Sequence, residues 1–341
     1  MKVLITGGAG FIGCNIAEYY LNRGDEVIVL DDLSRPGAET NLAWLRSLGK
    51  IDFIKQDIRE IKGLKRNIEK RGSIDLICHM AAQVAVTTSV TDPETDFHTN
   101  ALGTFNVLES VRQAGIDPVI IYASTNKVYG EMTDLNVIEK DGRYQYEDMA
   151  QGISEKRPLD FHSPYGCSKG SADQYVIDYS RIYGVRTVCM RQSCVYGKRQ
   201  FGIEDQGWVA WFIIAAVLGR PITIYGDGKQ VRDILYVEDL VRLYHAAYEN
   251  IGTVKGMAFN VGGGTQNQLS LLELIGILRR KSGEELKISF AGWRPGDQKI
   301  FVSDIGRAKK ILNWVPETDS ARGIDLLWEW VVCNKDLFEN F

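Results

Sequence analysis

The sequence has no surplus of positive charge: 40 Lys and Arg stand against 44 Asp and Glu, a net charge of −4 at pH 7. Without a basic excess or a polybasic tract, there is nothing to hold a nucleic-acid backbone or an anionic membrane surface. Any phosphate must be bound by local sites. Cysteine is also sparse. Cys14, Cys78, Cys167, Cys189, Cys194 and Cys333 are widely scattered, with no close pair of the kind that frames a zinc or redox site, so reduced thiols and no bound metal are expected. Long apolar runs are missing too. The run Trp211 to Leu218 is far too short to span a bilayer, and a strand expected from Lys2 leaves no room for a charged and apolar leader. The expected setting is the cytoplasm. Internal repeats and low-complexity tracts are absent as well.

What is present suits a globular α/β protein. With 341 residues, 45% hydrophobic and 25% charged, the chain exceeds the usual reach of one core, so two closely packed lobes are expected. The first half alternates strand and helix. Val3–Thr6, Glu26–Leu30, Ile51–Lys55, Leu76–His79, Val119–Tyr122 and Thr187–Met190 are short apolar or β-branched runs, as in strands covered on both faces. Amphipathic stretches intervene, notably Phe11–Asn22, Glu94–Gln113 and Tyr165–Tyr183. The pattern predicts a Rossmann-type doubly wound parallel sheet with a smaller C-terminal α/β substrate lobe. Beyond about Ser193 the rhythm changes and glycine-rich turns such as Gly226-Asp227-Gly228 and Gly262-Gly263-Gly264 appear. The lobes are drawn as residues 1–192 with about 230–260 for a dinucleotide, and about 193–229 with 261–341 for the substrate. The polar, aperiodic segment Glu131–His162 reads as a lid or a locally ordered loop.

Directly after the first strand stands Gly7-Gly8-Ala9-Gly10-Phe11-Ile12-Gly13. Gly7 permits the turn, Gly10 lets a pyrophosphate approach, and Gly13 lets helix pack on strand; the anion then meets a helix N-terminus. Phe11 and Ile12 belong to the same loop. At the end of the second strand Asp31 and Asp32 offer carboxylates for the adenosine ribose, with Asp31 preferred. A carboxylate there accepts from both hydroxyls of NAD and repels the extra phosphate of NADP. Arg35, which would suit that phosphate, follows the carboxylates without replacing them. Asp57 is either an adenine contact or a solvated strand end. Ser34, Ile58, Ala81, Ala82 and Asn100 complete the candidate cofactor contacts.

Tyr165 and Lys169 lie four apart near the start of a helix and share a face. An ammonium beside a phenol favours phenolate, which can take a proton from a hydroxyl; the lysine can also hold the nicotinamide ribose. Upstream, Ser124 and Thr125 close a buried strand and bring hydroxyls to the same sheet edge, Thr125 sharing the substrate hydroxyl's proton.

From Met1 to about Phe301 the chain resembles the extended short-chain dehydrogenase/reductases, whose Tyr-x-x-x-Lys pair and Ser/Thr partner match Tyr165, Lys169 and Thr125. Ser124–Gly130, Asp160–Gly170 and Arg199-Gln200-Phe201 through Asp205-Gln206-Gly207-Trp208 resemble the branch that epimerises CDP-paratose and CDP-tyvelose at carbon 2, and the last stretch singles that branch out. The resemblance implies that Arg232 and Arg294 bind a nucleotide diphosphate and that Ser89, Thr125 and Asn126 contact the sugar. Gln206, Gly207 and Trp208 would set specificity, though Trp208 is equally read as core packing, and His162 would line the pocket. Cys194 stands where many relatives have asparagine. Dehydratases of the family carry Asp-Glu after the threonine, and Asn126-Lys127 here offers neither acid. The implied reaction is NAD-dependent 2-epimerisation of a CDP-activated hexose or 6-deoxyhexose through a keto sugar, with NAD tightly bound and recycled in place. UDP-sugar 4-epimerisation is the rival; a non-catalytic dinucleotide-sensing module is disfavoured by the intact Thr125, Tyr165 and Lys169. Helices Glu94–Gln113 and Tyr165–Tyr183 resemble those of a four-helix interface, which implies a homodimer or homotetramer.

Overall fold

The computed structural model describes residues 1–294 and 296–338. Among them, seven strands form one parallel sheet: β1 (Lys2–Thr6), β2 (Glu26–Asp31), β3 (Ile51–Lys55), β4 (Leu76–His79), β5 (Val119–Thr125), β6 (Arg186–Gln192) and β7 (Met257–Val261). Their order is β7-β6-β5-β4-β1-β2-β3. Because side chains alternate along a strand, Val3 and Ile5 enter a core beneath helices Phe11–Asn22, Ala38–Leu48 and Val237–Glu249. Leu4 enters the opposite core, beneath Ile61–Arg71, Gly103–Ala114 and Ser163–Tyr183. Strands buried on both faces need apolar residues at every position, which is why they read as continuous apolar runs. The chain leaves β1 toward β2 on one side and resumes at β4 on the other. The loops after β1 and β4 therefore diverge and open a crevice at the strands' carboxyl ends.

A second lobe is organised by strand Val231–Tyr236, which pairs with Cys194–Tyr196, Gln268–Ser270 and Ile300–Phe301. Helices Trp208–Val217, Leu271–Ser282 and Ser320–Cys333 give it a separate core. The apolar run around Trp211 is thus a buried helix, and among the described residues no helix is long and apolar enough to cross a membrane. Helix Leu271–Ser282 starts on a capping box: Ser270 Oγ accepts from Glu273 N at 3.2 Å, and Ser270 N donates to Glu273 Oε2 at 2.6 Å. The chain changes lobe at different points from those drawn on the sequence. Residues 231–236 belong to the second lobe's sheet, helix Val237–Glu249 and β7 to the first lobe. Ala308, Leu312 and Trp314 later return to the first core.

Two further expectations change in detail. The single helix expected over Glu94–Gln113 is divided into Pro93–Phe97, a π-helical turn His98–Leu102, and Gly103–Ala114. The Glu131–His162 segment contains a hairpin, Val137–Lys140 with Arg143–Tyr146, fastened to the second lobe by Tyr144 N to Lys229 O at 3.1 Å and Tyr146 Oη to Ile300 O at 3.0 Å. Of the two readings of that segment, the hairpin and its anchors make it a locally ordered loop.

Candidate active site

The crevice holds a cavity of about 420 Å³ at the carboxyl ends of β1, β2, β4 and β5. Its floor is the glycine loop. Gly7 has φ +65°, and a Cβ there would lie 2.7 Å from Ala81 N; at Gly13 a Cβ would lie 2.2 Å from Gly7 O. The loop is therefore folded as tightly as backbone allows, and only glycine leaves the surface bare for a ligand to approach. Helix Phe11–Asn22 has no side-chain cap, so its first amides and the positive end of its dipole face the cavity. This cradle fits the pyrophosphate of a dinucleotide. Asp31, buried at the end of β2, accepts from Ala9 N at 3.0 Å and Leu33 N at 2.8 Å. Burial pushes its carboxyl up, and the two amides oppose that shift. Asp32 instead ties Ser34, accepting from its N at 2.9 Å and its Oγ at 2.7 Å. Gly7, Gly10, Phe11, Ile12, Gly13, Asp31, Asp32, Ser34, Arg35, Asp57, Ile58, Ala81 and Ala82 all line the cavity. Asp57 does so with its carboxylate held by Arg59, Nη2 to Oδ2 at 2.6 Å, which leaves it little freedom to bind adenine.

Tyr165 and Lys169 line the same cavity from helix Ser163–Tyr183. The pairing expected from their spacing takes another form. Lys169 Nζ donates to Ala123 O at 2.5 Å and sits 4.4 Å above the Tyr122 ring. Burial lowers the Lys169 ammonium to about 8 and pushes the Tyr165 phenol up to about 12, against a lowering contribution from the Thr125 hydroxyl. In the protein alone desolvation outweighs any help from the lysine, so the expected drop in the phenol's pKa is not present. Thr125, at the end of β5, caps the 3₁₀ turn Asn126–Tyr129 by accepting from Lys127 N at 3.2 Å. Beneath these groups a buried network fixes helix to sheet: Ser124 Oγ donates to Asp173 Oδ2 at 2.7 Å, and Arg191 clasps the same carboxylate at 3.0 and 2.9 Å.

A second cavity, about 190 Å³, lies between the lobes and is lined by Lys127, Gln206, Gly207, Trp208, Tyr225, Arg232 and Arg294 among others. Arg294 lies 3.6 Å from the Tyr225 ring centroid and pairs with Asp205 at 3.1 Å. Trp208 Nε1 donates to Cys194 Sγ at 3.4 Å, so the cysteine at the family's asparagine position is a tryptophan partner. Gln206 lines both cavities and accepts a hydrogen bond from Arg35. Arg35 is thereby joined to the strap 198–207 that crosses the first cavity, while still lining it. Asn41 Nδ2 and Asn15 Nδ2 hold this strap at Arg199 O (3.3 Å) and Lys198 O (3.1 Å), and the Arg199 guanidinium stacks 4.1 Å from Trp44.

Thr125 lines neither cavity and meets the site through its hydroxyl beside Tyr165, and four other expected ligand contacts are placed elsewhere. Ser89 is fully buried, donating to Val86 O at 2.7 Å and accepting from Tyr165 N at 3.1 Å, so it fixes the start of the Tyr165 helix and presents no surface to a sugar. His162 pairs with Asp160 at 3.0 Å on the surface and lines neither cavity. Asn100 spends its amide on Gln83, Asp96 and Ser168 behind the cavity wall. Asn126 is buried, with Oδ1 3.4 Å from Thr125 Oγ1, and also lines neither cavity. Lys127 was read only as a missing acid. Its cavity position depends on the turn that follows β5, which residue type alone does not reveal.

The model of the NAD dependent epimerase/dehydratase family matches residues 3–262. The chain is 46% identical to the CDP-paratose 2-epimerase of Salmonella typhi over 335 residues, covering 97% of this chain and 99% of that protein. It superimposes on the UDP-glucose 4-epimerase of Thermotoga maritima, solved with UDP-glucose, with a TM-score of 0.84 at 31% identity, covering 99% of this chain and 100% of that one. The UDP-glucose 4-epimerase of Thermus thermophilus, solved with NAD, gives 0.81 at 31% identity over 97% and 98% of the two chains.

Proposed function

As a member of the NAD dependent epimerase/dehydratase family, the chain uses NAD, and we propose that it inverts carbon 2 of a CDP-linked hexose or 6-deoxyhexose. The observation that carries this reading is the 46% identity, over nearly the whole of both chains, to a CDP-paratose 2-epimerase. Two adjoining cavities sharing Gln206 agree with it, since a dinucleotide and a nucleotide sugar must meet at their reacting ends.

The glycine loop and Asp31 hold the cofactor's pyrophosphate and ribose, and Tyr165 and Lys169 reach its reacting end. When bound, oxidised NAD supplies the hydride acceptor and a positive charge that favours the Tyr165 phenolate. Tyr165 Oη takes the proton of the sugar's 2-hydroxyl as the carbon loses hydride, leaving a ketone at carbon 2. Once the sugar has turned its other face, Tyr165 gives the proton back to the carbon-2 oxygen; the bound cofactor would supply to that face the hydride it had accepted, so no net oxidation would occur. Thr125 Oγ1 shares the hydroxyl's hydrogen bond, and Lys169 holds the ribose. The strap 198–207 keeps the cofactor in place between cycles, in accord with tight retention of NAD.

The exposed apolar side chains Phe97, Leu102, Tyr175, Ile182 and Tyr183 lie on the two helical segments expected to pair, which supports a homodimer or homotetramer. Unpaired thiols at Cys167 and Cys333 suit a reducing cytoplasm.

The test is incubation of purified protein, with no added cofactor, with CDP-glucose, CDP-paratose, CDP-tyvelose, UDP-glucose and UDP-galactose, and NMR identification of products. Inversion at carbon 2 of a CDP-sugar is expected. Inversion confined to carbon 4 of a UDP-sugar moves the chain to the other branch, a reading to which the superposition on UDP-glucose 4-epimerases at 31% identity gives only weak support.

A further inference from the structure

We propose that Lys127 grips the diphosphate of the nucleotide sugar and, through its backbone, couples that grip to the position of Thr125. The inference rests on the reading that the second cavity receives a nucleotide diphosphate.

Placement comes first. Lys127 lies on the turn Asn126–Tyr129, its N–H bonded to Thr125 Oγ1 at 3.2 Å, while its side chain lines the second cavity beside Arg232 and Arg294. One residue thus touches the hydroxyl beside Tyr165 with its backbone and the nucleotide cavity with its ammonium.

Donor capacity comes second. An ammonium has three N–H donors, and among the described residues Lys127 Nζ has one acceptor, Gly296 O at 2.9 Å. The neighbouring arginines are partly engaged. Arg232 donates to Val231 O at 2.8 Å and Gln298 O at 2.7 Å; Arg294 is held by Glu204 O, Asp205 and the Tyr225 ring. Lys127 keeps two of its three donors to offer a ligand.

Charge comes third. No ion pair reaches Lys127 among the described residues. Burial and repulsion from Arg232 lower its ammonium to about 8, while Asp297, Cys194 and Glu131 act weakly the other way. Glu204, Asp205 and Arg294 are the other charged groups on the cavity wall. A half-buried cation without a carboxylate partner is costly, and an incoming diphosphate supplies the missing charge.

The experiment is titration calorimetry of CDP, UDP and cytidine with wild-type holoenzyme, Lys127→Met and Lys127→Arg at pH 7 and pH 9. The second ionisation of a phosphate lies near ~6, so CDP is fully charged at both values and only the protein titrates. If the protonated form alone binds, wild-type affinity for CDP falls about tenfold between the two pH values. Lys127→Met should bind CDP about tenfold or more weakly at pH 7 and lose the pH dependence, with cytidine binding unchanged. Lys127→Arg should bind CDP at both pH values, because guanidinium does not titrate there. Should the methionine variant fail to fold, the arginine variant decides, since persistence of the alkaline fall in it overturns the role. Undiminished CDP binding by Lys127→Met also overturns it, even where turnover falls. Wild-type protein that binds neither CDP nor UDP overturns the reading of the cavity together with the role of Lys127.

Discussion

Tyr165 and Lys169 show how burial rewrites the chemistry that spacing suggests. Their separation of four residues puts them on one face, yet the ammonium goes to Ala123 O and the phenol rises to about 12. Tyr165→Phe should leave NAD in the purified protein, read from its absorbance, and reduce turnover by roughly 10²–10⁴-fold, the usual worth of positioned acid-base catalysis. A phenylalanine variant with NAD and full turnover would refute the assignment. Lys169 makes a second prediction. Its ordinary value of 10.5 falls to about 8 in the fold, so between those pH values the unfolded chain holds a proton that the native protein does not. Stability contributed by this group therefore rises with pH across that window, on the order of 1–2 kcal/mol between pH 7.5 and 9.5. Denaturant unfolding at the two pH values should show the rise in wild type and a smaller one in Lys169→Met. Residue identity was legible at these positions; charge state was not, because desolvation depends on what lies around the side chain. Ser89 makes the same point. As a serine near the site it suggests a sugar contact, and only the fold shows it fully buried, bonded to Val86 O and Tyr165 N.

Among the elements, the glycine loop was the most legible, since its backbone demands leave so few residues. A Cβ at Gly13 would meet Gly7 O at 2.2 Å, a contact that backbone must move to relieve. Gly13→Ala should cost roughly 1–3 kcal/mol in unfolding and yield protein depleted of NAD, measured by denaturation and by cofactor absorbance. The strands were equally plain, because burial on both faces writes itself as an apolar run. The helix expected over Glu94–Gln113 was less so: its π-helical turn at His98–Leu102 places Asn100 behind the cavity wall, where three partners take up its side-chain amide. A one-residue shift in helical register has no signature in hydrophobic spacing. The strap 198–207 was visible as a distinctive stretch, whereas its crossing of the cofactor cavity to meet Arg35 depends on contacts across more than 150 residues.

Among the described residues, Phe97, Leu102, Tyr175, Ile182 and Tyr183 are exposed apolar side chains on the helical segments 93–102 and 163–183, on one side of the sheet. Ile182 is 62% exposed and Tyr183 54%, surfaces that cost free energy in water and gain it back on association. Ile182→Glu combined with Tyr183→Glu should shift sedimentation toward the monomer at unchanged NAD content; an unaltered oligomer would move the interface elsewhere.

The sequence by itself determined the sheet and the glycine cradle, because each is dictated by local backbone demands or by periodicity, and Asp31, Tyr165 and Lys169, singled out there, line one cavity. The tertiary structure alone decided that Arg35 bonds to Gln206, that Ser89 and Asn100 serve the scaffold, where the chain changes lobe, and that Lys127 lines the second cavity. Those outcomes rest on hydrogen bonds and burial between segments far apart in the chain, where each polar group takes whichever partner the packed fold brings within reach.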